Sequence, residues 1–135
     1  MDNCKRFRQM VAQLKAINAD IQLKLPSNPV SIQRQLQRVL QAQTQLTRLQ
    51  ADLDRSFGRQ HNPSVRVAYM VLLDLVQQTT QATLNYKMLA EEFSLDPHGS
   101  IRCLLTIRQT TAATLDQLNE LETLELMKDS ASLHV

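Results

Sequence analysis

The chain has little of the residues that interrupt helices, with only 2 Gly and 4 Pro among 135 residues. A phosphate-binding loop needs several glycines, so a nucleotide site of that kind can hardly be built here. Aromatic residues are also scarce, with no Trp, 2 Tyr and 3 Phe. That scarcity disfavours strands and leaves few rings on which nucleic-acid bases could stack. The composition therefore favours an all-α protein.

Cysteine and long apolar runs are equally limited. Cys4 and Cys103 stand apart, without a CxxC motif, so we expect neither a zinc site nor a disulfide framework and place the protein in a reducing, cytoplasmic compartment. The first residues are charged and lack the apolar core of a secretory signal. The most apolar run, residues 65–76, contains Arg66 and Asp74 and is too short to cross a bilayer. We expect a soluble protein without membrane contact.

Motifs for catalysis and for metal binding are missing. The sequence has no nucleophile elbow and no Glu-x-x-His pair, and His61, His98 and His134 fall in turns or in the tail. Asp96, close to His98, is better explained as a helix cap than as a metal ligand. We therefore expect no catalytic residue, no cofactor, no metal and no small-molecule substrate. A mutase that uses dispersed Arg, Lys and Gln side chains would leave no motif and stays the enzymatic alternative.

The feature that organises the chain is an Asn-Pro or Asp-Pro pair that recurs every 34 residues, at Asn28, Asn62 and Asp96. Asn and Asp are favoured N-caps, and a following Pro loses nothing because its missing N–H would have had no partner. Each pair therefore predicts the start of a helix. Equal spacing predicts rods of equal length, about 40 Å each at 1.5 Å per residue.

Between these pairs the apolar residues follow the helical period in four segments. Breaks are expected near 26–29, where Pro26 ends the first helix, near 58–63, where Gly58 stops the second, and near 94–100. The fourth helix is expected to reach Met127. We predict an antiparallel up-down four-helix bundle of long helices, with one domain at 1–128 and a frayed tail at 129–135.

Two repeats in the sequence require separate interpretation. A tetratricopeptide unit also has 34 residues, but it contains a turn near its middle, and neither Gly nor Pro occurs at 41–49 or 71–80. We reject that fold. The stretches QTTQATL at 78–84 and QTTAATL at 109–115 resemble each other at an offset of 31 residues. Chance, a shared packing requirement for small residues and an ancient duplication all remain open.

Charge is divided along the chain, with a net charge of +7 in residues 1–66 and −5 in residues 67–135. The two halves either complement each other or present differently charged faces. The second helix carries a basic stripe at helical spacing, and its members are Arg34, Arg38, Arg48, Arg55 and Arg59. We interpret the stripe either as a solvated face, paired in part with acids of the last helix such as Glu120 and Glu122, or as a phosphate-binding face.

The third segment is apolar on more than one side, so we place it at the centre of the bundle or across an interface. The candidate apolar interface consists of Val67, Met70, Val71 and Leu75. Gln43 falls on the apolar seam of the second helix, where a polar residue can fix register or oligomeric state unless it reaches solvent. The expected function is a non-enzymatic protein–protein interaction module, such as an adaptor, a chaperone-like protein or a regulatory subunit, that binds another protein or a second copy of itself. The alternative is a nucleic-acid-binding protein that uses the basic stripe.

Overall fold

The computed structural model describes residues 3–24, 29–59, 61–92 and 97–123, with side chains for 5–22, 35–59, 61–91, 99 and 102–123. Within these ranges the chain forms four α-helices and no strand. The helices are α1 (Asn3–Lys24), α2 (Pro29–Phe57), α3 (Pro63–Glu92) and α4 (Pro97–Glu122). Each is continuous, so the prediction of four long rods is confirmed. The expected tail at 129–135 lies outside the described residues.

Three helices begin at a proline, as the recurring pairs predicted. Where the cap is described, its geometry is the expected one. The Asn62 Oδ1 accepts hydrogen bonds from the backbone N–H of Ser64 at 2.9 Å and of Val65 at 3.4 Å. The Asn62 carbonyl accepts the first bond of the helix from the Arg66 N–H, at 2.9 Å. These are the contacts of an N-cap residue; Asn28 and Asp96 lie outside the described residues.

The structure describes α4 as far as Glu122 and Thr123 after it in a turn, and the expected continuation to Met127 lies outside the described residues. The Thr123 N–H bonds to the Glu120 carbonyl at 3.0 Å, which is a tighter i→i−3 turn. The Thr123 hydroxyl donates to the same carbonyl at 2.6 Å.

Contacts between sequential helices join the beginning of one helix to the end of its neighbour. The Arg6 Nε of α1 donates to the Ser56 Oγ of α2 at 2.6 Å, and the Tyr69 hydroxyl of α3 donates to the Asp54 Oδ1 of α2 at 2.6 Å. Such contacts are compatible with the up-down topology. α3 packs against α2 and α4, and α4 packs against α1, so α3 occupies a corner of the bundle. α3 also contacts α1, so it touches all three other helices, and the expectation that it lies at the centre of the bundle or across an interface stays a prediction.

The core consists of two apolar clusters. The first joins all four helices at the end of the bundle that contains Phe7 and Phe57, whose rings meet edge to face at 5.6 Å between centroids. The second, at the other end, is formed by α2, α3 and α4 around Tyr86, which is fully buried. Burial raises the pKa of Tyr86 to about 12, because the phenolate would lose its hydration.

A layer of buried polar side chains lies between the clusters, and its members are Asn18, Thr79, Thr83, Thr111 and Thr114. The Asn18 Nδ2 of α1 donates to the Leu14 carbonyl and to the Thr79 Oγ1 of α3, at 3.0 Å each. The Thr79 hydroxyl donates to the Leu75 carbonyl at 2.8 Å. Buried polar groups paired in this way hold α1 and α3 in one register.

Both QTT stretches contribute to this polar layer, through one equivalent pair of residues, Thr83 and Thr114, and one pair that is not equivalent, Thr79 and Thr111. The first buries Thr79 and Thr83, whereas the second buries Thr111 and Thr114. Thr79 is the first threonine of its stretch and Thr111 is the second of its own. The two stretches therefore share part of their burial pattern. Both place small polar side chains in the interior, as a shared packing requirement would.

The turn between α2 and α3 is held by several polar contacts. The Gly58 N–H closes the helix on the Asp54 carbonyl at 2.9 Å, and the Gly58 carbonyl accepts a bond from the Arg66 Nη1 at 2.8 Å. The Arg66 guanidinium lies over the Tyr69 ring, 5.6 Å from its centroid. The hydrogen bond to Asp54, followed by burial, raises the pKa of Tyr69. These contacts fix the start of α3 against the end of α2.

Candidate apolar interface on the outer face of α3

Exposed large apolar residues are concentrated on one helix. Among the described side chains there are six of them, and five belong to α3. Their exposed fractions are 62% for Val67, 52% for Met70, 41% for Val71, 43% for Leu84 and 54% for Met88. The sixth, Leu105, lies on α4. Because scattered single residues need no explanation but an aligned set does, α3 is the candidate site.

Three of the four residues expected at this interface are on the surface. Val67, Met70 and Val71 are exposed, but Leu75 is only 1% exposed and belongs to the first core cluster. Leu75 is one helical turn from Val71, yet it points between the helices because successive residues are rotated by about 100°. Leu75 is therefore removed from the candidate surface. Leu84 and Met88 were missed by the sequence reasoning.

The exposed residues form a regular line along α3, which we call the outer seam. Its members are separated alternately by three and four residues, and they are Val67, Met70, Asp74, Gln77, Gln81, Leu84 and Met88. Alternating separations of three and four define the a and d positions of a coiled-coil helix. None of the seven packs into the core, and all except the central three are large and apolar. The outer seam has the spacing needed to receive another helix.

The middle of the outer seam is polar and locally ordered. The Gln78 Nε2 donates to the Asp74 Oδ2 at 2.7 Å, and the Gln81 Nε2 donates to the Asn85 Oδ1 at 3.0 Å. Both bonds join residues four apart on the helix surface. The outer seam thus has two apolar ends and a polar centre.

The basic stripe of α2 is exposed where it is described. Arg38, Arg48 and Arg55 of α2 are on the surface, and so is Arg59, which lies in the turn after α2 and not on the helix as expected; the side chain of Arg34 lies outside the described residues. Arg55 forms an ion pair with Asp52 at 3.3 Å. The stripe does not reach the acids of α4, because α2 and α4 occupy diagonal corners of the bundle. Glu122 instead pairs with Lys15 of α1 at 3.1 Å, which joins the basic and acidic halves of the chain.

A groove of about 620 Å³ separates α1 from α2, which pack together less closely than the other neighbouring helices. Its floor contains the buried side chains of Ile17 and Leu49. Its rim carries both signs of charge, since Arg48 stands near Asp20 and Asp52. A rim of mixed sign attracts polyanions less than an all-basic groove would.

Gln43 is half-buried on α2, as its position on the apolar seam predicted. Its Nε2 is buried and meets no hydrogen-bond acceptor in the part of the chain that the structure describes. The amide nitrogen therefore does not reach solvent. A buried unpaired donor costs about 1–3 kcal/mol, which is a penalty that the surrounding packing must offset.

The remaining candidate residues are dispersed. His61 is exposed in the α2–α3 turn, whereas His98 and His134 lie outside the described side chains. Cys103 is half-buried against the second core cluster. Among the described residues no three His, Cys, Asp or Glu side chains converge as a metal site would require. None of the described helices has the length and apolar character that a membrane span needs.

Comparison with known proteins gives no functional information about this chain. No family model, no curated protein and no solved structure matches this chain. The outer seam of α3 and the basic stripe are the two features of the described surface that have a regular chemical pattern.

Proposed function

We propose that the protein is a non-enzymatic interaction module whose outer seam on α3 binds a helix of a protein partner. An adaptor, a chaperone-like protein or a regulatory subunit would use such a surface. The observation that carries the proposal is the alignment of Val67, Met70, Leu84 and Met88 on one exposed line. Burying each large apolar side chain contributes about 1.5–3 kcal/mol, so a partner helix would gain from covering them.

The proposed mode is helix-to-helix recognition. A bound helix would place its own apolar residues between those of the outer seam, with side chains interdigitating as they do in coiled coils. The polar centre around Gln77 would favour partners that present a polar residue at the matching level. A reducing intracellular compartment belongs to the same proposal, with Cys103 as a thiol.

Site-specific photo-cross-linking in a native lysate tests this proposal. A photoreactive residue replaces Met70 in one variant and Leu105 in the control; both are about half exposed, at 52% and 51%, but only Met70 lies on the outer seam. We expect discrete adducts at the first position and none at the second. Equal labelling at the two positions, or no adduct at either, would reject the outer seam as the binding surface.

The basic stripe supports a second candidate function, nucleic-acid binding. Arg38, Arg48 and Arg59 form no ion pair within the described part of the chain, and all three are exposed. Contacts to phosphates would release counterions, so affinity for duplex or single-stranded nucleic acid would fall steeply with salt. A titration at about 50 mM salt, compared with an Arg48→Gln/Arg59→Gln variant, tests it. Absence of binding by the unmodified protein removes this candidate.

A further inference from the structure

We propose that the helix bound by the outer seam is α3 of a second copy of this chain, lying antiparallel about a two-fold axis near Gln77. This inference rests on the proposed function, because it names the partner of the same surface. The observation that supports it is the order of apolar and polar residues along the outer seam, which is nearly the same in both directions.

The outer seam is symmetric about its centre. Met70 and Leu84 are each seven residues from Gln77, and Val67 and Met88 are ten and eleven residues from it. When a second copy is turned end to end, its Leu84 and Met88 come opposite Met70 and Val67 of the first. Apolar ends then cover apolar ends, as an isologous interface requires.

The charge of Asp74 selects the antiparallel orientation. In a parallel pair each Asp74 would face the Asp74 of the other copy, and two like charges at one position repel. In the antiparallel pair Asp74 faces Gln81 of the other copy, whose amide N–H groups can donate to the carboxylate. The bond from Gln78 at 2.7 Å leaves further lone pairs of Asp74 available, because a carboxylate accepts about four hydrogen bonds.

The residues that flank the outer seam differ in charge between its two sides. Val71, Gln78 and Asn85 border one side, and they carry no charge. Arg66, Lys87 and Glu91 border the other, and in the antiparallel pair Arg66 of one copy lies toward Lys87 and Glu91 of the other. Arg66 is held by the Gly58 carbonyl and over the Tyr69 ring. Salt screens the remaining repulsion, so higher ionic strength should leave the dimer as strong or strengthen it.

The size of the contact sets its strength. From Val67 to Met88 the outer seam is about 30 Å long at 1.5 Å per residue, and a helix is about 10 Å wide. A strip of these dimensions, about 300 Å² per copy, is smaller than the standard specific interface and is typical of a weak, transient association. The dimer should therefore be reversible, with a dissociation constant on the order of micromolar.

Sedimentation equilibrium from about 1 to 300 µM tests whether the dimer forms. We expect the unmodified chain to pass from monomer to dimer in this range, at low and at high salt. A Met70→Glu/Met88→Glu variant should remain monomeric, since carboxylates in the apolar contacts should raise the dissociation constant at least about 100-fold. The control, Leu105→Glu, removes an exposed apolar residue outside the outer seam and should dimerise normally. Circular dichroism confirms that both variants fold.

Cysteine cross-linking tests the antiparallel geometry. The native cysteines are first replaced in a C4S/C103A variant, and the thiol reagent spans about 8 Å, which is near the distance between the axes of packed helices. Gln77→Cys should link to its own copy. Val67→Cys alone should not, because its two copies would be about 30 Å apart, but a mixture with Met88→Cys should link. Self-linking of Val67→Cys would indicate a parallel pair and overturn the inference.

Two further outcomes separate this inference from the proposed function. A chain that stays monomeric up to about 300 µM overturns the second-copy partner. If Met70 still cross-links to another protein in the lysate, the interaction module stands without self-association. A dimer that survives Met70→Glu/Met88→Glu unchanged overturns the outer seam as the self-association surface.

Discussion

Replacing Thr79 by Val should destabilise the bundle although the two side chains have nearly the same shape. Thr79 is 1% exposed, and its hydroxyl is the acceptor for the Asn18 Nδ2 at 3.0 Å. Loss of the hydroxyl leaves Asn18 with only the bond to the Leu14 carbonyl, at 3.0 Å, inside a fully buried site. Leaving a buried donor without its partner costs about 1–3 kcal/mol.

Replacing Asn18 together with Thr79 should restore stability. In the double variant Asn18→Leu/Thr79→Val both polar partners are replaced by apolar groups, and such pairs are close to neutral. The double variant should therefore recover most of the lost stability, with a coupling energy of about 1–2 kcal/mol. Thr106→Val is the control: Thr106 is exposed, and its hydroxyl donates only within its own helix, to the Arg102 carbonyl at 3.1 Å.

Urea denaturation followed by circular dichroism measures these effects. For a slope of about 2 kcal/mol per molar urea, the loss in Thr79→Val should lower the transition midpoint by about 0.5–1.5 M, and Thr106→Val should change it by much less. Thr79→Val with the same midpoint as the unmodified chain would mean that the hydrogen bond between α1 and α3 contributes nothing in solution. The polar layer would then not hold the helix register.

Three further expectations concern single sites. Gly58→Ala should destabilise the protein by about 1 kcal/mol or more, because the added Cβ would lie 2.5 Å from the Asp54 carbonyl oxygen. Thermal melting measures this loss, and an unchanged melting temperature contradicts the close approach. Gln43→Leu should raise the urea midpoint by removing the buried unpaired amide, and a loss of stability would show that Gln43 is satisfied in solution. Tyr86, whose pKa is raised to about 12, should remain protonated at pH 10 in the folded state, as followed by phenolate absorbance, and Tyr69, whose pKa is also raised, should ionise later than an exposed tyrosine. Stability should be retained below pH 10 and fall between about 10 and 12, because the unfolded chain loses these protons first; an unchanged stability at pH 12 contradicts this.

The element boundaries could be predicted because they depend on local chemistry. Asn62 followed by Pro63 specifies the start of α3 through bonds that the cap makes to its own first turn. The spacing of such pairs gives rods of matched length, and matched rods lead to a bundle. The expected continuation of α4 through Leu124 to Met127 lies outside the described residues.

The site was predicted only in part, because burial depends on rotation about the helix axis. Val71 and Leu75 are both apolar and one turn apart, and only contacts between helices show that Leu75 belongs to the core. Leu84 and Met88 were overlooked because they were counted as general apolar content. The signal that could have found them is the alternation of three and four residues that begins at Val67.

The polar layer was not anticipated as a structural unit. Its threonines come from two helices, and Asn18 comes from a third. Their sequence resemblance, QTT in both α3 and α4, suggested small residues at a close contact but not which hydroxyls face inward. That depends on the rotation of each helix: the sixth residue is buried in both stretches, at Thr83 and Thr114, whereas the second is buried only at Thr79 and the third only at Thr111.

The inner and outer faces of α3 share one arrangement along the helix. On the inner face Leu72 and Val76 precede the buried Thr79 and Thr83, and Tyr86 follows them. On the outer face the apolar ends of the outer seam flank Asp74, Gln77 and Gln81 at about the same level. A polar layer between apolar ones penalises sliding, because a shifted helix would place polar groups against apolar ones. In the proposed dimer, the pattern that holds α3 in register inside the bundle would also hold two copies of α3 in register with each other.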